Sequence, residues 1–443
     1  MKKVRDGYKM TELGEIPNEW EIIKLNECGY IFGGNAFKSS SFTTEYKEND
    51  YQVIRMGNVQ LGKLDLEKNP VFLSENLVGE KEKKYLLKEA DILISLTGTV
   101  NKTDYGNISW VDKNNKYLLN QRVGCLRNDN GEFNNRYYYY LLQSNMFRNQ
   151  FFECGVGGTG NQANVSIADL NNIKVLKLPT REQEKIASIL STVDEQIDNV
   201  DALIEKNKEL KKGLMQTLLT KGIGHTKFKK TEIGEIPEEW EVIKFDNIIS
   251  FLTDYEANGS FSSIKENVNI FDEPNYAYFV RATDLEKKDY INSVKYVDKE
   301  SYKFLSKTSL DGGELLIAKR GQIGKVYLMP NLDKKATLAP NLYLIKLDNE
   351  KANNKYVYYY FISSIGQKRL ISNSASTTLG AIYKDDVKKI KMVLPSIKEQ
   401  EKIVLILSEI DEKIDGYENR REKLEELKKG LMQQLLTGKI RVI

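Results

Sequence analysis

The chain has 443 residues, about three times a typical domain, so two or more domains are expected. Hydrophobic residues make up 40% and charged residues 29%, which excludes wholesale disorder. The net charge of +3 is spread thinly, as +1 over residues 1–177, −1 over 178–222, +3 over 223–392 and zero over 393–443. No region announces a nucleic-acid binder by charge alone; contact with DNA would need basic residues gathered on one face, or a partner supplying phosphate contacts.

The first residues, MKKVRDGYKM, lead into no apolar stretch, and no run of about eighteen apolar residues follows anywhere. A cytoplasmic protein without a membrane span is expected. Cys28, Cys125 and Cys154 lie far apart with no C-x-x-C spacing, so they read as buried or free thiols, not as a disulfide framework or zinc cluster. His225 is the sole histidine, which removes Ser-His-Asp triads and multi-histidine metal centres from this chain. No catalytic and no metal-ligating residue is singled out.

In chain order, TELGEIPNEWEIIK (Thr11 to Lys24) comes first, followed by strand-like stretches at YQVIRM and DILISL. Tyr137 to Tyr140 fall in a helical segment; four successive tyrosines point all round a helix, so they read as core packing rather than as base-stacking platforms. Gly155-Val-Gly157-Gly-Thr-Gly160 matches G-x-G-x-x-G but lacks the strand-to-helix context of a dinucleotide site, and reads as a loop at a domain edge.

From Arg181 to Leu219 there is no proline, and Ile186, Leu190, Val193, Ile197, Val200 and Ile204 recur in steps of four and three, a coiled-coil seam. A helix of about 39 residues is ~58 Å long and cannot bury its seam alone. Further on come YAYFVRA, ELLIAK and KVYLM as strands. Gly321-Gln-Ile-Gly324-Lys325 lacks Walker spacing. A second seam follows at Ile403, Leu407, Ile410, Ile414, Tyr417 and Leu424, continued by Leu431 and Leu435, with Arg421 where Ile204 stands in the first. Each helix starts after a Leu-Pro pair, and acidic residues in its first turn suit the helix dipole.

The chain repeats itself. TELGEIPNEWEIIK returns as TEIGEIPEEWEVIK at Thr231, identical at eleven of fourteen positions. LPTREQEKIASILSTVDEQID at Leu178 returns at Leu394 with one extra residue after the second Leu-Pro, and ELKKGLMQTLL at Glu209 returns as ELKKGLMQQLL at Glu426. Fainter echoes link Ile54 with Val280, Asp91 with Glu314 and Asn134 with Asn353, in the same order. The expected boundaries are a variable domain at 1–177, a helix at 178–222, a second variable domain at 223–393 and a second helix at 394–443. The economical partner for each helix is the other copy, antiparallel; packing of each helix on its own domain is the alternative.

The tandem GEIPxEW segments, each followed by Leu-Pro and the blocks Glu182-Gln183-Glu184-Lys185-Ile186 or Glu399-Gln400-Glu401-Lys402-Ile403, resemble the specificity subunits of type I restriction-modification systems over essentially the whole chain. The resemblance implies an α+β architecture with an internal pseudo-twofold repeat: two mixed α/β target recognition domains separated by two long antiparallel helices that form a coiled coil. It implies a non-catalytic subunit that reads an asymmetric, gapped, bipartite site in double-stranded DNA. The implied partners are two adenine-methyltransferase subunits, which carry S-adenosylmethionine themselves, and through them restriction and translocase subunits. No cofactor is expected in this chain. Docking is expected at Glu182, Gln183 and Lys185 and at Glu399, Gln400 and Lys402.

Side chains with base-edge capacity in the echoed loops are the candidates for DNA contact. They are Arg55, Asn58, Gln60, Thr97, Lys102, Arg122, Asn161, Gln162 and Asn164 in the first domain, and Arg281, Lys319, Arg320 and Gln322 in the second. A competing reading is a coiled-coil scaffold that joins two protein-binding modules and never meets DNA.

Overall fold

A computed structural model describes residues 4–114, 116–128, 131–157, 161–290, 292–320, 324–374 and 381–442. The chain divides into two compact units: residues 1–200 with 420–443, and residues 201–419. These bounds differ from the expected ones because each long helix is divided between the units. Helix α1, Thr180–Lys221, begins in the first unit and ends in the second; helix α2, Ile397–Leu435, begins in the second and ends in the first.

In the first unit, a four-stranded antiparallel sheet has the order Ile108–Trp110, Ile92–Ser95, Val123–Arg127, Tyr30–Gly33. Beside it, Tyr117–Leu119 runs parallel to Tyr51–Ile54 with Leu119 opposite Ile54. The second unit keeps this plan where sequence similarity has faded. Its four-stranded sheet has the matching order Val326–Leu328, Leu315–Ala318, Leu342–Leu347, Ile249–Asp254. Its parallel pair is Ala277–Val280 with Ala336–Leu338, Val280 opposite Leu338. The expected strands YQVIRM, DILISL, YAYFVRA, ELLIAK and KVYLM all contain strands, and runs such as Leu315–Ala318 are buried throughout because both faces of the sheet are covered.

The tyrosine-rich segments form helices Asn135–Leu141 and Asn354–Ile362, each capped by an asparagine side chain, Asn134 or Asn353. Tyr137 to Tyr140 are buried in the core of the first unit, packed edge to face, and offer no stacking platform. Cys28 and Cys125 are buried and Cys154 half-buried, all as free thiols. The glycine-rich segment contributes a short strand, Val156–Gly157, pairing with Gln162–Asn164, whereas Gly158 to Gly160 lie outside the described residues.

The helix pair is antiparallel. In the second unit Lys211 of α1 meets Asp411 of α2 at 2.5 Å and Lys208 meets Glu418 at 3.4 Å, the α2 number rising as the α1 number falls; in the first, Asp194 of α1 meets Lys428 of α2 at 2.6 Å. Ten of the twelve seam residues are buried; Ile197 and Tyr417 are half-buried. Ile186 and Leu190 pack simultaneously on their own domain and on Leu435 of α2 and the adjoining Leu436. Ile403 and Leu407 do the same with Met215, Leu218 and Leu219 of α1. For these four residues the seam and the helix-on-domain packing are one core within each unit, and each buried Leu or Ile contributes roughly 1.5–3 kcal/mol.

The helix starts follow the sequence. The backbone N–H groups of Glu182 and Gln183 donate to Pro179 O, while those of Glu399 and Gln400 donate to Ser396 O. The extra residue of the second copy is therefore taken up ahead of the helix, leaving the Glu-Gln pair in the same turn. Past α1, Gly222 adopts φ +66°, and a Cβ there would fall 2.4 Å from the Glu399 carboxylate, so the residue must be glycine.

Candidate nucleic-acid interface

Each unit carries a cleft at the carboxyl ends of its parallel strand pair. The first has a volume of about 480 Å³ and is lined by Arg55, Met56, Gly57, Asn58, Lys68, Asn69, Asn120, Gln121 and Arg122. The second, also about 480 Å³, is lined by Phe279, Arg281, Ala282, Thr283, Glu286, Ala318, Arg320, Ala339, Pro340 and Asn341. The two are built from the same structural positions. Arg55 and Arg281 follow the equivalent strand ends Ile54 and Val280, and Asn120 to Arg122 correspond to Ala339 to Asn341 after Leu119 and Leu338.

The walls are fixed by local hydrogen bonds. The backbone N–H of Arg55 donates to Asn58 Oδ1 at 2.9 Å, and that of Arg281 donates to Asp284 Oδ2 at 2.9 Å, closing the same short turn. Arg122 and Asn341 both take left-handed backbone, φ +69° and +73°. Their carbonyls accept from Leu96 N at 2.9 Å and Lys319 N at 3.0 Å, respectively.

The chemistry of the two clefts differs. In the first, the Arg55 guanidinium donates to Asn69 O at 2.6 Å, and among the described residues no carboxylate lines the space beside Arg55, Lys68 and Arg122. In the second, Arg281 is clamped by Asp284 at 2.6 Å, a buried carboxylate that holds the guanidinium protonated above its ordinary range and neutralises it. Glu286 is itself engaged by Lys325 at 2.6 Å and by the Tyr327 hydroxyl at 2.8 Å.

Of the residues singled out in the sequence, Arg55, Asn58 and Arg122 meet in the first cleft, and Arg281 and Arg320 in the second. Pairing of Thr97–Thr99 with Gln162–Asn164 brings Thr97, Asn161, Gln162 and Asn164 together, with Lys102 exposed nearby. Gln60 bonds back to Gly57 O at 2.7 Å.

Three expected base readers are corrected. Asn58 is buried, its amide donating to Asp65 O and Lys68 O. Thr97 is buried and its hydroxyl meets the Met56 sulfur. Lys319 is buried between Asp254 and Glu256, an internal ion pair. Gln322 lies outside the described residues. Cleft-lining residues not singled out in the sequence are Lys68, Asn69, Asn120, Gln121 and Asn341, whose loops lie outside the echoed segments.

The Glu-Gln blocks are also corrected in part. Glu182, Gln183 and Gln400 are buried and turned inward. Glu182 accepts from the Trp20 indole N–H at 2.9 Å, and Glu399 accepts from Trp240 at 2.9 Å and shares a hydrogen bond with His225 at 2.8 Å. Gln183 Oε1 accepts from Asn134 N at 2.9 Å, and Gln400 Oε1 from Asn353 N at 2.8 Å. These side chains lock each helix to the domain that precedes it in sequence. Lys185 is half-buried and Lys402 exposed.

Residues 17–211 and 237–426 each match the type I restriction modification DNA specificity domain. The chain is 30% identical over 445 residues to the putative type I restriction enzyme MjaX specificity subunit of Methanocaldococcus jannaschii, covering 99% of this chain and 97% of that one. It is 24% identical over 408 residues to the type I restriction enzyme EcoKI specificity subunit of Escherichia coli, covering 88% and 82%. The fold is shared with the crystal structure of a type I restriction-modification S subunit from M. genitalium, at TM-score 0.57 and 17% identity, over 98% and 97% of the two chains. A second solved structure, from work on complex assembly and conformational transition of the type I R-M system, has TM-score 0.53 and 16% identity over 96% and 99%. With both repeats matched and the similarity running along nearly its whole length, this chain belongs to the specificity subunits of type I restriction-modification systems, their non-catalytic DNA-recognition component.

Proposed function

We propose that the chain reads a gapped, two-part sequence in double-stranded DNA, one half through each cleft, and carries two adenine-methyltransferase subunits to it. The observation that carries this reading is the pair of equivalent clefts, each with an arginine at the same strand end but with different walls. Equivalent frames with unequal linings suit two different half-sites. The repeated helices suit two copies of one partner. Leu210 and Leu427 occupy equivalent helix positions and are both about half exposed, and Leu405 is 61% exposed, apolar surface that a docked subunit would cover. S-adenosylmethionine would be held by those methyltransferase subunits, and restriction subunits would join through them. The cytoplasm, where the DNA lies, is the proposed location; no helix among the described residues is long and apolar enough to cross a membrane.

The test is genome-wide mapping of methylated adenine in cells that express the cognate methyltransferase with and without this chain. A gapped motif appearing only with the chain is the expected result. An active, assembled complex that yields no motif would move the reading to a scaffold between protein-binding modules.

A further inference from the structure

The two clefts carry their available guanidinium on different strand ends. In the first, Arg122 stands on the loop that follows the parallel strand, and the neighbouring strand end, bonded to it through Leu96 N, carries the buried Thr97 at the position equivalent to Arg320. In the second, the loop carries Asn341 in place of Arg122, and Arg320 rises from the end of Leu315–Ala318 instead. The remaining arginines are committed to their own walls: Arg281 to Asp284, and Arg55 to the Asn69 carbonyl. Among the described residues, no partner holds the Arg122 side chain, which is exposed.

The backbone at Arg122 points the same way. A left-handed φ is adopted readily by asparagine, as at Asn341, and disfavoured for a long side chain such as arginine. The surrounding loop imposes it: Asn120 N donates to Ile54 O at 3.0 Å, Gln121 N to Asn35 O at 2.8 Å, and Arg122 O accepts from Leu96 N at 2.9 Å. An arginine at a position that disfavours it, on a loop pinned at both sides and lining a cleft with no carboxylate among its described residues, points to a role for its side chain. A rigid mount is also what base reading needs, since a bidentate contact requires the fork to be held in one orientation.

We propose, resting on the DNA-reading function above, that Arg122 and Arg320 are the specificity-determining cations of the two half-sites, each donating two hydrogen bonds to O6 and N7 of a guanine in the major groove. The chemistry follows from the donor set. A planar guanidinium matches the two acceptors of guanine, and adenine offers a donor where guanine offers O6. The amides around Arg122, from Asn69, Asn120 and Gln121, supply contacts to neighbouring bases or phosphates. No bond is made or broken in the DNA by this chain.

The experiment uses the assembled complex with its methyltransferase, and reads the methylated-adenine motif for wild type, Arg122→Asn and Arg320→Gln. Arg122→Asn installs the residue that the second unit already tolerates at this backbone, so folding is kept, and co-purification at unchanged stoichiometry checks it. The expected result is that Arg122→Asn loses discrimination at a single G·C position of one half-site by roughly tenfold or more, while the other half-site is untouched. Arg320→Gln does the converse. The inference is overturned if the relaxed position is not G·C, if both half-sites weaken equally, or if both motifs are unchanged in a correctly assembled complex. A wild-type complex that yields no gapped motif sinks the DNA-reading function itself, a separate outcome from a wild-type motif that survives both substitutions.

Discussion

Trp20 donates its indole N–H to Glu182 Oε2 at 2.9 Å across 162 residues of sequence. The same carboxylate receives Arg441 Nε at 2.7 Å and Nη2 at 2.9 Å. Glu182 is 3% exposed, so its charge is sustained only by these donors. Glu182→Ala strands the buried Trp20 indole N–H and leaves Arg441 paired with Glu19 at 2.8 Å, and is expected to cost ~2–4 kcal/mol in the first unit. Glu182→Gln keeps one acceptor and should cost less, about 1–3 kcal/mol. Urea denaturation of the purified chain measures both; a Glu182→Ala loss below about 1 kcal/mol would show that the carboxylate does not hold this core together.

Asp194 accepts from the Tyr140 hydroxyl at 2.6 Å and pairs with Lys428 at 2.6 Å; its repeat equivalent Asp411 accepts from Tyr359 at 2.7 Å and pairs with Lys211. Each triad ties a tyrosine helix to both long helices within one unit. Asp194 and Lys428 are 17% and 19% exposed, while Asp411 and Lys211 are 33% and 21% exposed. Screening is weaker at the first pair, so a double-mutant cycle on Asp194 and Lys428 should give a coupling of about 1–2 kcal/mol. The cycle on Asp411 and Lys211 should give under about 1 kcal/mol. Equal couplings, or the reverse order, would mean that exposure does not set their strength.

The repeat, the long helices and the strands of the variable domains were legible because periodicity and self-similarity are properties of the chain itself. Ile186, Leu190, Ile403 and Leu407 show the limit of that reading. A seam pattern states that a face is buried, but not that the same face meets a domain and a second helix together. Asn58, Thr97 and Lys319 failed as DNA readers for a related reason. Their side chains have base-edge chemistry, yet the backbone turns them inward to a capping bond, a methionine sulfur and an ion pair, partners brought close only by the fold. The Glu-Gln blocks differ: their strong repetition suggests a docking surface, whereas Glu182, Gln183 and Gln400 are turned inward and serve the same internal lock in both copies.

Burial raises the hydroxyls of Tyr139, Tyr343 and Tyr360 from their ordinary value of 10 to about 12. Desolvation of the phenolate is the main cause in all three. A group whose folded pKa lies above its unfolded one contributes stability that is present below pH 10 and lost as pH climbs through about 12, because the unfolded chain releases its protons first. The chain should therefore unfold in alkali between these limits, with tyrosinate absorbance rising together with the loss of circular dichroism. Phenolate signal from most of the tyrosines while the fold is intact would contradict it.

The near-neutral domains also govern how the chain meets DNA. Affinity built on phosphate neutralisation falls with salt in proportion to the number of phosphates contacted, with a slope of about −0.9 per contact. Regional net charges of +1 and +3 leave few such contacts to the chain alone, while the clefts supply base-edge donors that need docking before they can act. The isolated chain is expected to bind DNA weakly, with a shallow salt slope and a tendency to associate through exposed residues such as Leu405 and Leu427. The complex with its methyltransferase should bind tightly with a steeper slope, since the partner brings the phosphate contacts. Fluorescence anisotropy over a salt series separates the cases: an isolated chain as tight and as salt-dependent as the complex would place the phosphate contacts on its own surface, and the partner would then add only catalysis.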